Sequence, residues 1–210
     1  MEKNSENKNL KKAALFHGHT CPGLAIGVRV AELALGDIFR GRAQDEEIVA
    51  IVENDSCAVD AIQLLTGCTL GKGNLILKDY GKQVYTFVKR PFKESLPGEA
   101  LRVSVDFRGP EESAKGKEMW RRFSEGDRSE EVLKAVHARR SQKIKAIIGA
   151  ADEELFTIRR LKMKPPCTAR LVPSVRCEKC GEKTMETKMG LFGGKKLCRP
   201  CFEKETSCRN

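Results

Sequence analysis

Two cysteine pairs near the end of the chain, Cys177-Glu178-Lys179-Cys180 and Cys198-Arg199-Pro200-Cys201, stand seventeen residues apart. That spacing constrains the fold more than any other feature of the sequence. Each pair can bring two thiolates to one ion at about 2.3 Å, and four such ligands close a tetrahedron that leaves no position for a substrate. The expectation is a structural zinc on Cys177, Cys180, Cys198 and Cys201, with Gly181 to Leu197 folded as a hairpin between the two knuckles. A module this small cannot bury a core of its own, so metal binding supplies the free energy that folds it. A pair of disulfides is the competing reading, but two-residue spacing favours chelation and nothing suggests secretion.

The chain has 210 residues, 40% of them hydrophobic, which fits one medium domain with a small appendage. The start, Met1 to Asn9, is polar and lacks the apolar stretch of a signal peptide, and no apolar run reaches the length of a membrane span. A cytoplasmic protein without a membrane partner is expected, whose nine cysteines serve metal, catalysis or packing rather than disulfides. The formal net charge is +10, and residues 159–210 carry fourteen Lys/Arg against five Asp/Glu. This excess admits nucleic acid as a partner but does not favour it. Four thiolates on zinc offset part of the charge, and Phe192 and Phe202 are the only aromatics nearby; a solvated face, or one turned to an acidic partner, accounts for the rest.

Along the chain, Leu24, Val28, Ala31 and Leu35 repeat at helical spacing behind Pro22, which suits a first helical turn. Ile48 to Val52 is an apolar run of strand length. Asn54-Asp55-Ser56 precedes a short helix, Cys57 to Leu65, that Gly67 should stop. Leu75 to Leu77 and Val84 to Val88, joined by a turn at Asp79 to Lys82, read as a hairpin. Leu101, Val103, Val105 and Phe107 alternate as one strand face. From Pro110 to Ala151 the pattern becomes charged amphipathic helix, expected to cover one face of the sheet, and Leu155 to Leu161 has strand character. Pro165-Pro166 marks the domain boundary. The chain is therefore expected to be α+β: a mixed or antiparallel sheet with covering helices in residues 1–165, and a zinc ribbon in residues 166–210.

A second cluster lies in the core. If residues 17–21 are extended, His17, His19 and Cys21 point to one side and could chelate zinc, nickel or a similar ion. Cys21 and Cys57 each sit at the start of a helix, where a thiolate is stabilised and reactivity or metal ligation is favoured. Asp60 follows Cys57 by three residues and faces the same way as a ligand, an outer partner or a base. Taken singly, a cysteine is more often a small buried hydrophobe and a histidine a hydrogen-bonded one. Together, two of only three histidines beside a Cys-Pro turn point to a site. Gly67 to Asn74 invites comparison with a phosphate-binding P-loop, yet its glycines are one residue too close and Gly73 stands where Ser or Thr should meet magnesium, so a tight turn is expected. Cys68 is expected near Cys57. Cys167 and Cys208 receive no role.

The blocks Phe16-His17-Gly18-His19-Thr20-Cys21-Pro22-Gly23-Leu24 with Gly27 and Arg29, Asn54 to Gln63, and Thr66 to Asn74 resemble the FmdE family of formylmethanofuran dehydrogenase proteins. The likeness continues through Asp79-Tyr80-Gly81-Lys82 to about residue 90, and a C-terminal ribbon occurs in many family members. The resemblance implies an α+β core with a Cys/His active site, a zinc-finger tail and a homodimer. It carries over to His17, His19, Cys21, Cys57 and Asp60, and less firmly to Cys68. In methanogenic archaea the name belongs to a complex that reduces carbon dioxide onto methanofuran, with the molybdenum or tungsten chemistry in other subunits. Two functional readings follow. In one, His17, His19, Cys21 and Cys57 hold a core ion, or Cys57 acts as a thiolate, with Cys57, Asp60 and His17 as the catalytic residues. In the other, the chain is an accessory or regulatory protein that docks a protein partner, such as a redox complex, through its basic ribbon.

Overall fold

The computed structural model describes residues 7–39, 41–92, 96–169 and 171–207, which leaves Cys208 and residues 1–6 outside. They sort into two compact units, Met1–Thr168 and Ala169–Asn210. The division falls just past Pro165-Pro166 because the Arg90 guanidinium donates to the carbonyls of Pro166 and Cys167 and keeps both with the first unit.

The first unit is α+β. Helix α1 (Lys8–His17) starts on the Asn7 side chain and ends at Gly18, whose φ of 92° lies in the left-handed region that glycine adopts without strain. Helix α2 (Pro22–Asp37) follows at once. Strand β1 (Ile48–Val52) is buried at all five residues, as an apolar run on both faces of a central strand should be. Helix α3 (Ala58–Thr66) crosses from β1 to β2 (Leu75–Leu77), which pairs parallel to it. Then β3 (Val84–Lys89), β4 (Gly98–Val105) and β5 (Phe156–Met163) continue antiparallel from the other edge of β1, giving the order β2-β1-β3-β4-β5. The hairpin expected between Leu75–Leu77 and Val84–Val88 does not form. Lys82 and Tyr80 donate their backbone N–H groups to the Glu53 carbonyl, which carries the chain across the end of β1 and delivers β3 to its opposite edge.

One sheet face, with Ala50, Val52, Tyr85, Phe87, Leu101 and Val103, packs on α2 and α3. Helices α4 (Ala114–Ser124) and α5 (Glu130–Gly149) depart from the expected sheet cover. Met119, Val132 and Val136 form a separate cluster with Trp120 and Phe123, and only the end of α5, through Ile147, reaches the main core. That end is held by Arg29 of α2. Its buried guanidinium donates to the carbonyls of Ile147, Ile148 and Ala150 and pairs with Asp152 at 2.6 Å, in the short helix α6 (Asp152–Leu155). These carbonyls belong to a helix terminus that has no partners of its own.

The second unit holds β6 (Ser174–Arg176) paired with β7 (Lys183–Met185), and β8 (Met189–Phe192) paired with β9 (Lys195–Cys198), followed by α7 (Arg199–Ser207). The expected hairpin between the knuckles is β8–β9, turned by Gly193 and Gly194 at positive φ, whereas β7 pairs outward with the strand before Cys177. No described helix is long and apolar enough to cross a membrane.

Helix α2 touches α3 at Gly27: a Cβ added there would lie 2.3 Å from the carbonyl oxygen of Ala58. Ala favours helix over Gly, but that gain is lost to a clash with rigid backbone, so Gly27→Ala is expected to lower stability by about 2 kcal/mol in urea titration. Arg29→Ala leaves α5's last carbonyls and Asp152 without their donor and should cost about 3–5 kcal/mol by the same measurement.

Candidate metal centre

Three helix ends meet at the core site. Ala13, Leu24, Val28 and Ala61, all fully buried, pin α1, α2 and α3 together beneath it. His17 is the last residue of α1. Cys21 is the N-cap of α2, extended in backbone, and its Sγ accepts the Leu24 N–H at 3.4 Å. Cys57 precedes α3, placed by a turn in which the buried Asn54 side chain accepts both the N–H and the hydroxyl of Ser56. The segment 17–21 is thus not the extended strand expected: Gly18 reverses the chain between two helices. Gly23 gives Cys57 its room, since a Cβ there would stand 3.3 Å from Cys57 Cβ and 4.0 Å from Cys21 Sγ.

The ligand atoms of His17, Cys21 and Cys57 lie within 4.8 Å of one another, a span that two metal–ligand bonds of about 2.0–2.3 Å nearly bridge. His17 Nδ1 is 2.6 Å from Asp60 Oδ2, while buried Nε2 has no hydrogen-bond partner among the described residues. A buried ring nitrogen without a partner is costly, and its sister nitrogen tied to a carboxylate is the outer-partner arrangement of a metal-bound histidine. One nitrogen and two sulfurs suit zinc or another borderline ion. Burial, and then the Cys21 thiol beside it, push the Cys57 thiol upward, so without a cation this sulfur is a poor free nucleophile.

His19 is not among the three grouped donors. It is exposed, with its ring centroid 4.5 Å from that of His17. Asp60 meets this cluster through its contact with His17. Cys68 does not approach Cys57: it is fully buried, its thiol facing the Ile48 carbonyl at 3.5 Å. In the Gly67 to Asn74 turn, the Lys72 ammonium is taken up by the carbonyls of Gln44 and Asp45. His137 and Arg140 of α5 border a cavity next to His19. Sequence reading missed them, since only their spacing on one helix face hints at a shared role.

In the second unit Cys177, Cys180, Cys198 and Cys201 converge within the same 4.8 Å limit. Cys180 and Cys198 sulfurs are 3.7 Å apart, close to the edge of about 3.8 Å that a tetrahedron of 2.3 Å bonds requires. Backbone N–H groups of Cys180 and Cys198 pull the Cys177 thiol down to about 6, whereas the neighbouring thiols, Cys198 first, push Cys201 up to about 12. Four sulfurs this close cannot all ionise unless a cation joins them.

Comparison with known proteins agrees with both units. Residues 16–157 match the family described as FmdE, Molybdenum formylmethanofuran dehydrogenase operon, and residues 171–206 match the prokaryotic dksA/traR C4-type zinc finger. A curated relative from Archaeoglobus fulgidus, named a probable S-adenosyl-L-methionine-binding protein, is 32% identical over 187 residues; the match covers 86% of this chain and 50% of the relative, so the chain spans about half of that protein's length. A solved structure, an FmdE-like protein of the tungsten formylmethanofuran dehydrogenase type from Syntrophus aciditrophicus, superposes with a TM-score of 0.60 at 25% identity, covering 93% of this chain and 90% of that one. With residues 16–157, from the His17 region to the start of β5, matching FmdE and a C4 zinc finger behind them, this chain belongs to the FmdE family.

Proposed function

We propose that the first unit is a one-ion metalloprotein, with His17 Nε2, Cys21 Sγ and Cys57 Sγ as its donors and a small molecule as its ligand. The observation that carries this reading is the buried, partnerless Nε2 of a histidine whose other nitrogen is held at 2.6 Å by Asp60. The ribbon is a zinc site closed by four protein donors, and the core set has three. A divalent ion with three protein donors keeps a coordination position for an outside ligand and acts there as a Lewis acid.

The chain's own residues prepare that position. Asp60 accepts the Nδ1 proton of His17, fixes the ring's tautomer and leaves Nε2 as the lone-pair donor. Helices α2 and α3 turn their N-termini toward Cys21 and Cys57, which places both sulfurs at one point as donors to a cation. The roles of Cys57 and His17 are then to hold the ion, and that of Asp60 is to orient His17. The eight described cysteines are all free thiols, consistent with a reducing compartment, and the cytoplasmic location is part of this proposal. So is the homodimer, which sedimentation equilibrium decides. The name of the archaeal relative makes S-adenosyl-L-methionine the first organic ligand to titrate.

Metal per chain, measured by plasma mass spectrometry on protein purified without chelator or affinity tag, should be two ions. Cys57→Ser and Cys198→Ser/Cys201→Ser should each leave one. A single ion in the wild type, lost entirely in the Cys198→Ser/Cys201→Ser variant, removes the core site and leaves a docking protein as the better reading. Asp60→Asn keeps the three donors but weakens the outer hydrogen bond, so core metal affinity should fall about 10- to 100-fold in chelator competition.

A further inference from the structure

A cavity of about 520 Å³ lies between the α1–α2 turn and helix α5, bordered by His19, His137, Arg140, Ser141 and Lys145. Positions 137, 140, 141, 144 and 145 follow the i, i+3, i+4, i+7, i+8 spacing that puts residues on one face of a helix. On a face that lines a concavity such positions are ordinarily apolar; here only Ile144 is. No carboxylate borders the cavity.

The cations of this face differ from their neighbours. On adjacent faces of α5, Arg139 and Lys143 share Glu112 at 2.6 and 3.1 Å, and Lys134 pairs with Glu130 at 2.7 Å. Among the described residues, neither Arg140 nor Lys145 has an ion-pair partner. Arg140, whose guanidinium carbon stands 5.8 Å from the centroid of the Phe123 ring, exposed Lys145, two imidazoles and a hydroxyl therefore border the same space with no carboxylate among its lining residues. Like charges held near one another repel even at a solvent-exposed lining, and a bound anion offsets that repulsion.

The cavity lies beside the proposed metal centre. His19 borders it, and the His19 ring stands 4.5 Å from that of His17. Two thiolates at the core site would neutralise a divalent ion and Asp60 adds a negative charge beside His17, so the positive charge open to an anionic ligand lies on α5. We infer that this cavity binds the phosphate or carboxylate group of a small-molecule ligand whose other end reaches the His17–Cys21–Cys57 centre. This rests on the proposed core site and names the class of ligand that enters it. It also gives His19 a task that metal ligation does not, as a wall between anion and ion.

The chain has three histidines, so their ring protons are readily assigned by NMR. Inorganic phosphate and citrate are titrated separately into the full chain at fixed pH and ionic strength, with chloride as the blank, and core metal is measured on the same samples. Saturable movement of His137 and His19 by either anion is expected, phosphate alone pointing to a phosphorylated ligand and citrate alone to a carboxylate. Arg140→Gln/Lys145→Gln, which changes half-buried and exposed side chains, should weaken that response about tenfold or more while keeping the core ion. Lys195→Gln/Lys196→Gln, with the same loss of charge on the ribbon, should leave it unchanged. A response that does not saturate, or that both double variants weaken equally, overturns the inference. Anion binding in a protein with no core metal keeps the cavity and removes the metal reading; a core ion with no anion binding does the reverse.

Discussion

The contact of Gly27 with the backbone of Ala58 is the constraint on which the first unit depends. It lets α2 and α3 approach backbone to backbone, closer than any side chain allows. Because α2 begins at Cys21 and α3 follows Cys57, that approach also brings two sulfurs and two helix N-termini to one place. Gly23 extends the same allowance to Cys57 itself. The candidate metal centre is thus a product of helix packing, and the apolar contacts of Ala13, Leu24, Val28 and Ala61 are its foundation.

What could be read in the sequence follows the range of the physics involved. The ribbon is legible because its ligands sit in two local pairs whose spacing alone specifies the chelate, and the matching family segment, 171–206, encloses them. Cys21 and Cys57 are legible at the starts of helices, since proline, caps and apolar periodicity mark those starts nearby. His17 falls in the candidate donor set, but through a geometry other than the expected one. Alternation onto one side needs extended backbone, whereas Gly18 in the left-handed region ends α1 there, turning His17 inward and leaving His19 exposed.

Other departures share a non-local cause. Strands of Leu75–Leu77 and Val84–Lys89 carry correct local signals, yet which edge of β1 each takes depends on the Glu53 carbonyl, more than twenty residues earlier. Cys68 looks near Cys57 along the chain but is drawn into the sheet core by the Ile48 strand. The part of α5 that borders the cavity lies some 120 residues from His19 in sequence, and charge on a helix face reads as ordinary solvation until its neighbours are known.

Arg29 gives this architecture a mechanical property. From Cys21, α2 runs eight residues, about 12 Å, to the guanidinium that grips the end of α5. From there α5 runs back about 10 Å, over seven residues, from Ile147 to Arg140 beside the cavity. Two stiff rods clasped at one end hold their free ends at a set gap, and those ends are the thiol centre and the cationic wall. Under the proposed reading this clasp is a caliper, setting the length between a ligand's charge and the atom it would present to the centre.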